Sequence, residues 1–415
     1  MRATRVAILS LALLAAGCSD SLLNDDGMLR QISSPAALHS QVPHLATTQS
    51  GEVVMSWVET TDEVSTLRFS TLQNEKWSIP QTVAMGSDWF VNWADFPSVV
   101  PISENLWAAH WLRSHPDGGF AYDVVISLSR DKGKTWLPGI IPHQDDTATE
   151  HGFVSLYPDR NSVGAVWLDG RNTSGSPHHP PSLSNRPGAD SAQVPGMTLR
   201  SVRFTPEGRL TQSELVDNLT CDCCQTDAVA TPEGAVVVYR DRTPDEIRDT
   251  YLVRRQAQGW SEPKRIAPDN WRISGCPVNG PAIDARDNRL VVAWYTQAND
   301  SPRVQFAVSE DTGRNFSLPI EISGSDSLGR VDVVLLENGR SVVSWMETLD
   351  AGRAGLFIRD VSVEGVPGRK RLIVKTDNSR PAGFPRMVEH QNGSLVMAWT
   401  DLDSEQVKTV KVILD

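Results

Sequence analysis

The densest group of reactive side chains in this 415-residue sequence is Thr-Cys-Asp-Cys-Cys-Gln, which holds Cys221, Cys223 and Cys224; a fourth thiol, Cys276, follows in Ser-Gly-Cys-Pro. Thiolates are soft ligands that select Cu(I) or Zn, and they are also the nucleophiles of disulfide exchange. An even number of cysteines in an exported chain reads instead as two disulfides. Cys223 and Cys224 are adjacent and point different ways, so a bond between them requires strain. Three chemistries therefore stand open: two bridges, a Cu or Zn thiolate centre, or a redox-active pair. His178 and His179, in a Pro/Gly/Ser/His-rich insertion over residues 172–196, are candidate extra metal ligands; on their own they read as a solvated loop.

A second group is Tyr-Arg-Asp-Arg-Thr-Pro-Asp-Glu-Ile-Arg-Asp, with Arg240, Asp241, Arg242, Arg248 and Asp249. Either these residues form salt bridges that stiffen a loop, or their guanidinium forks hold an anionic or sugar ligand beside an exposed Trp271. Arg171, Arg330 and Arg380 could converge on the same place. Asp169 and Asp241 are the candidate carboxylate pair for glycoside hydrolysis, a role that depends on their separation.

The elements that must position these residues repeat. Short alternating strands ending in an aromatic and a polar residue recur at Trp57, Trp111, Trp167, Tyr239, Trp294, Trp345 and Trp399. The spacing is near constant apart from the interval that contains the insertion. Each aromatic strand follows a short strand that often opens near proline (VPHLATT, FPSVVPI, GPAIDAR, FPRMVEH) and precedes two more. Period-two alternation between turns indicates antiparallel sheet, and four-stranded units repeated radially make an all-β propeller. Seven blades are expected over residues 28–415, with six as the alternative. The last unit has only three strands, so residues 28–33 are expected to supply its fourth and close the ring. In such a ring both cysteine-bearing segments are blade-to-blade connections and emerge on one face, together with the Arg/Asp loop.

Two turns, Ser129 to Trp136 (SRDKGKTW) and Ser309 to Phe316 (SEDTGRNF), fit S-x-D-x-G-x-x-[W/F]. They resemble the Asp-box repeats of the sialidase superfamily, with Asp131 or Asp311 accepting from turn amides, Gly133 or Gly313 permitting positive φ, and the aromatic docking between strands. The resemblance covers nearly the whole chain and implies a propeller fold. A sialidase site has an arginine triad, a Tyr nucleophile relieved by a Glu, and an Asp acid/base. Here Gln41 stands where the first arginine belongs, and no Tyr follows Tyr295. The resemblance thus implies fold rather than chemistry.

Residues 1–17 (MRATRVAILSLALLAAG) have a basic start and a short apolar run leading to Cys18, and resemble a lipoprotein signal peptide, with residues 18–27 as anchor and linker. Acylation of Cys18 would tether the chain to a membrane, the outer membrane in a Gram-negative host, facing periplasm or cell surface. Net charge is −12 and becomes −14 without Arg2 and Arg5, with no Lys/Arg run, which argues against a nucleic-acid partner. Beyond the leader no apolar stretch is long enough to span a bilayer. The expected function is an envelope lipoprotein whose Cys/Arg face binds a glycan or anionic ligand. A sialidase-like hydrolase with an altered site, and a thiolate metal-binding lipoprotein, are the alternatives; no cofactor is implied beyond Cu or Zn at the cysteines.

Overall fold

The computed structural model describes residues 27–116, 118–173, 195–350 and 352–414. Its strands form seven antiparallel sheets arranged as the blades of a propeller, as the repeat predicts. Blade 1 runs through Ser40–Thr47, Val53–Thr61 and Val64–Gln73, with an outer edge split into Lys76–Trp77 and Gln81–Gly86. Blade 2 has three strands, Ser98–Pro101, Trp107–Ser114 and Tyr122–Ser129; isolated bridges from Ile126 to Ile140 and from Tyr122 to Glu150 stand where its outer strand would be. Blades 3 to 6 are regular four-stranded sheets beginning at His151–Asp159, Asp227–Thr231, Ala282–Arg286 and Ser327–Leu335. Blade 7 comprises Arg386–His390, Ser394–Asp401 and Gln406–Val412, and Leu29–Ile32 completes it by pairing Leu29 with Val412 and Ile32 with Thr409.

The repeated aromatic explains how such small sheets bury enough apolar surface. Seven apolar clusters are each shared by two consecutive blades, and each holds one of the seven aromatics. Trp57 serves the junction of blades 7 and 1, Trp167 that of 2 and 3, Trp345 that of 5 and 6. The polar residue that follows has a matching role. The indole N–H of Trp57 donates to Glu59, that of Trp167 to Asp169, and that of Trp345 to Glu347, at 2.8–2.9 Å. A buried indole otherwise leaves its donor unpaired.

The first strand of each blade faces the axis, and one of its edges has no strand partner within the sheet. Side chains from the preceding blade supply the missing acceptors. Asp227 accepts from the Ile283 amide (2.9 Å), Asp284 from Leu335 (2.8 Å) and Asp332 from Met387 (2.7 Å). Asp95 accepts from Phe153 (2.8 Å), while Ser56 and Thr400 hydroxyls accept from Val99 and Val42 (3.1 Å each). At the remaining junction Ser155 and Thr226 hydroxyls meet at 2.7 Å.

The two S-x-D-x-G turns are superposable in their hydrogen bonds. Ser129 donates to Asp131 (2.8 Å) and Ser309 to Asp311 (2.9 Å); the amides of Gly133 and Gly313 donate back to those serines. Gly133 sits at φ +80°, and a Cβ there would lie 2.5 Å from Phe69, so both conformation and space demand glycine. Trp136 docks edge-on to Phe69, and Phe316 packs at the junction of blades 4 and 5.

Trp345→Ala is expected to cost about 3–5 kcal/mol by emptying the wedge between blades 5 and 6. Urea unfolding followed by tryptophan fluorescence and by circular dichroism checks this; a loss below about 1 kcal/mol would contradict the wedge role.

Candidate functional site

Antiparallel blades sort their loops onto two faces. Turns joining strands 1–2 and 3–4 share one face; loops joining strands 2–3 and the blade-to-blade loops share the other. The cysteine segments and the Arg/Asp loop lie together on the second face, and a Cys223–Cys276 disulfide joins the connection before blade 4 to the one after it (Cα–Cα 5.9 Å). A crosslink enclosing this length of chain is worth about 4 kcal/mol in the chain-entropy account.

Cys221 and Cys224 remain as buried thiols with their sulfurs 2.8 Å apart, and the Arg248 guanidinium lies 3.4 Å from the Cys221 sulfur. The two are electrostatically unlike. Burial pushes the Cys221 thiol up, but the Cys224 S–H donating to it and the Arg248 charge more than reverse this and hold it at about 6. Burial, together with that same donation, drives Cys224 well above the ordinary thiol range. A C-x-x-C pair divided into thiolate and thiol is arranged for disulfide closure. The sulfurs of Cys221, Cys223 and Cys224 lie within 4.8 Å of one another, but the 2.8 Å contact is closer than two ligands of one Cu or Zn ion sit. His178 and His179 fall outside the described residues.

The arginines expected to form a ligand pocket are spent on the protein itself. Arg240 is 1% exposed and donates to the carbonyls of Asn279, Arg248 and Tyr295 at 2.7–3.0 Å. Arg330 donates to those of Gly383, Asn378 and Ser379. Arg242 pairs with Glu246 and Asp222, and Arg248 with Glu246. Trp271, expected to be exposed, is buried; its face stacks on Arg240 at 4.9 Å and its amide donates to Asp249. The reason is topological: blade-to-blade loops leave carbonyls without strand partners, and guanidinium forks satisfy several at once. Arg380 alone of this set is exposed.

The axis is also filled on this face. Trp93 stacks on Phe384 (5.8 Å) and beneath Arg330 (5.3 Å), while Gln225 donates to the Ala94 carbonyl and accepts from Gly280. Asp95 anchors this plug, accepting from Phe153 and from the Tyr122 hydroxyl (3.0 Å); a Cβ on Gly152 would lie 1.9 Å from its carboxylate. Burial raises Asp95 to about 7 against those hydrogen bonds.

Asp169 and Asp241, the candidate acid/base pair, are both buried. Asp169 accepts from Trp167 and is bound two-pronged by Arg171 at 2.6 and 2.7 Å, which leaves it no proton to give. Burial lifts Asp241 to about 7. Arg171 also meets Asp145 (2.8 Å), and Asp123, His143, His151 and Arg200 gather around it between blades 2 and 3. The segment His143-Gln144-Asp145 with His151 was the signal for this group, and the repeat pattern hid it inside a connection.

Open space lies elsewhere. A cavity of about 690 Å³ follows the axis, lined by the first strands of all seven blades and by 1–2 turns such as residues 48–51 and 391–393. Its mouth is therefore on the face opposite the cysteines. His44, His110 and His390 stand in its wall; His44 Nδ1 and His390 Nδ1 are buried without a hydrogen-bond partner, while His110 is held by the Ser98 hydroxyl (2.9 Å) and the Phe96 backbone. Burial holds His44 well below its ordinary value and His110 at about 3, so both are neutral. The cavity's cations are paired, Arg286 with Glu389 and Arg386 with Asp332 (3.5 Å).

No family model matches the chain, and no curated protein matches it. Among solved structures, a protein of unknown function from Dyadobacter fermentans aligns over 93% of this chain and all of its own, at 12% identity and a TM-score of 0.51. The Hadza microbial sialidase Hz136 aligns at 14% identity and a TM-score of 0.44 over 92% of this chain and 68% of its own. The Penicillium chrysogenum α-L-arabinanase complexed with arabinobiose does so at 11% and 0.48, over 93% and 98%. At 12% identity the first of these likenesses is one of fold, and the seven sheets make this chain a seven-bladed β-propeller.

Two measurements test this face. In reduced protein the Cys221 thiolate absorbance is expected to titrate near pH 6 and to move upward in Arg248→Met; an unmoved midpoint would remove the arginine's role. For Asp95 the folded value lies above the unfolded one of about 4, so its contribution to stability is present below that pH and lost as pH rises through about 7. Asp95→Asn should flatten the pH dependence of the melting temperature between pH 4 and 7, and an unchanged slope would refute this.

Proposed function

We propose that this chain is a non-hydrolytic binding propeller of the cell envelope that takes a neutral saccharide in its axial cavity. The reading rests on one observation: a cavity of about 690 Å³ is walled by His44, His110 and His390, and both of its arginines already have carboxylate partners. Neutral imidazoles donate to and accept from hydroxyl groups, carboxylates accept from them, and the volume suits a mono- to disaccharide. An anionic ligand would need a cation without a partner of its own, so a neutral glycan is favoured over an acidic one. The closed arginine face and the committed Asp169 argue against glycoside hydrolysis there. Export and acylation at Cys18 remain part of the proposal on the strength of the leader, which lies outside the described residues; anchorage would set the propeller at the membrane surface.

Binding of neutral and sialylated oligosaccharides by calorimetry, with wild type and His390→Leu, tests it. A neutral sugar should bind, and the variant should weaken binding at least tenfold with an unchanged melting temperature. Binding of sialylated sugars alone, or turnover of a fluorogenic sialoside or arabinoside, would replace this reading with another.

A further inference from the structure

Blade 2 is the irregular member of the ring: after Ser129 the chain makes only the isolated bridges Ile126–Ile140 and Tyr122–Glu150 before blade 3 begins at His151. Where that long connection meets blade 3, His143 and His151 stack face to face, with ring centroids 3.8 Å apart and planes within 4°. Asp123, on the third strand of blade 2, brings its Oδ1 to 3.7 Å from His143 Nε2. Ligating atoms of Asp123, His143 and His151 all lie within 4.8 Å of one another.

Ordinary hydrogen bonding does not account for this arrangement. The His143 side chain is 6% exposed, yet its Nε2 has no hydrogen-bond partner, and 3.7 Å is too long for a bond to Asp123. The His151 Nδ1 lies 3.2 Å from the Thr149 carbonyl, an acceptor only, so this nitrogen carries the proton. Its Nε2 meets the Asp145 carboxylate at 3.2 Å, with Asp169 at 3.8 Å, so an ion ligated there would take the place of that contact. Arg171 already neutralises both of those carboxylates. What stays uncommitted is His143 Nε2 and the Asp123 Oδ1 beside it, the other Asp123 oxygen meeting Arg113 at 3.4 Å. A tetrahedral ion with bonds near 2.0–2.1 Å holds its ligands about 3.3 Å apart and lies in the plane of each ligating ring, so closing this set turns one imidazole out of the parallel stack. An Nδ1–H held by a backbone carbonyl is also the usual outer support of a histidine that ligates through Nε2.

We propose that Asp123, His143 and His151 form a binding site for a borderline divalent ion of the Zn²⁺ class. Two imidazoles and one carboxylate match that ion's preference, with Asp145 or water in the fourth position. The ion would pin the loop after blade 2 to the first strand of blade 3, where the missing outer strand leaves least sheet to hold it. The site shares no residue with the axial cavity or the cysteine pair, so it stands or falls apart from both.

The experiment is Zn²⁺ titration of the chelator-treated full chain, with bound metal counted by elemental analysis and melting followed in parallel. Wild type and Cys221→Ser/Cys224→Ser should each bind one equivalent and melt several degrees higher with metal. His143→Gln and Asp123→Asn should melt like metal-free wild type and bind at least a hundredfold more weakly. With Co²⁺ in place of Zn²⁺, visible bands without a thiolate charge-transfer band identify nitrogen and oxygen ligation. The proposal is overturned if wild type binds no stoichiometric ion, if both ligand variants retain it, or if the double cysteine variant loses it.

Discussion

A strand at the centre of a propeller has an edge that no other strand can reach, and its amides still require acceptors. Here six of the seven blade junctions answer that requirement with a side chain, and at the seventh the Ser155 and Thr226 hydroxyls meet each other. Asp227, Asp284 and Asp332 do so in three consecutive junctions, Asp95 in another, and the Ser56 and Thr400 hydroxyls in two more. These contacts set the angular spacing of the sheets near the axis, as the aromatic clusters do further out. The axial cavity follows from them: carboxyls committed to neighbouring amides line a passage that apolar side chains would have filled.

The fold was legible because its determinants are periodic. One aromatic per unit, the polar residue after it, and a proline-flanked first strand repeat often enough to outweigh irregular stretches such as the outer edge of blade 2. The closing strand was legible from the missing fourth strand of the last unit. The site was not, because its determinants are aperiodic. Arg240 and Arg330 look alike to Arg380 in a string of residues. What separates them is the supply of unpaired carbonyls beside each, a property of loops that meet only after the ring forms. Trp271 was misjudged for the same reason, since its stacking partner Arg240 lies on a different connection.

The cysteine-bearing face is best understood as a lid built from covalent, ionic and aromatic parts. The Cys223–Cys276 bond ties the connections flanking blade 4, and the Arg242–Glu246–Arg248 group braces the loop above. Trp93 and Phe384 close the centre between them. Such a face gives up the place where arginine-lined pockets would open, and the opposite face retains the accessible volume.

Pairing Leu29–Ile32 with Thr409–Val412 has a consequence for biogenesis. The earliest strand finds its partner only after almost the entire polypeptide has emerged, so six blades can assemble while the seventh waits with bare edges. During that interval a second nascent copy offers the same complementary segment, and exchange between copies would yield an intertwined dimer. Slow delivery of the carboxyl end should therefore favour swapped species, and holdase chaperones that shield strand edges should favour the monomer.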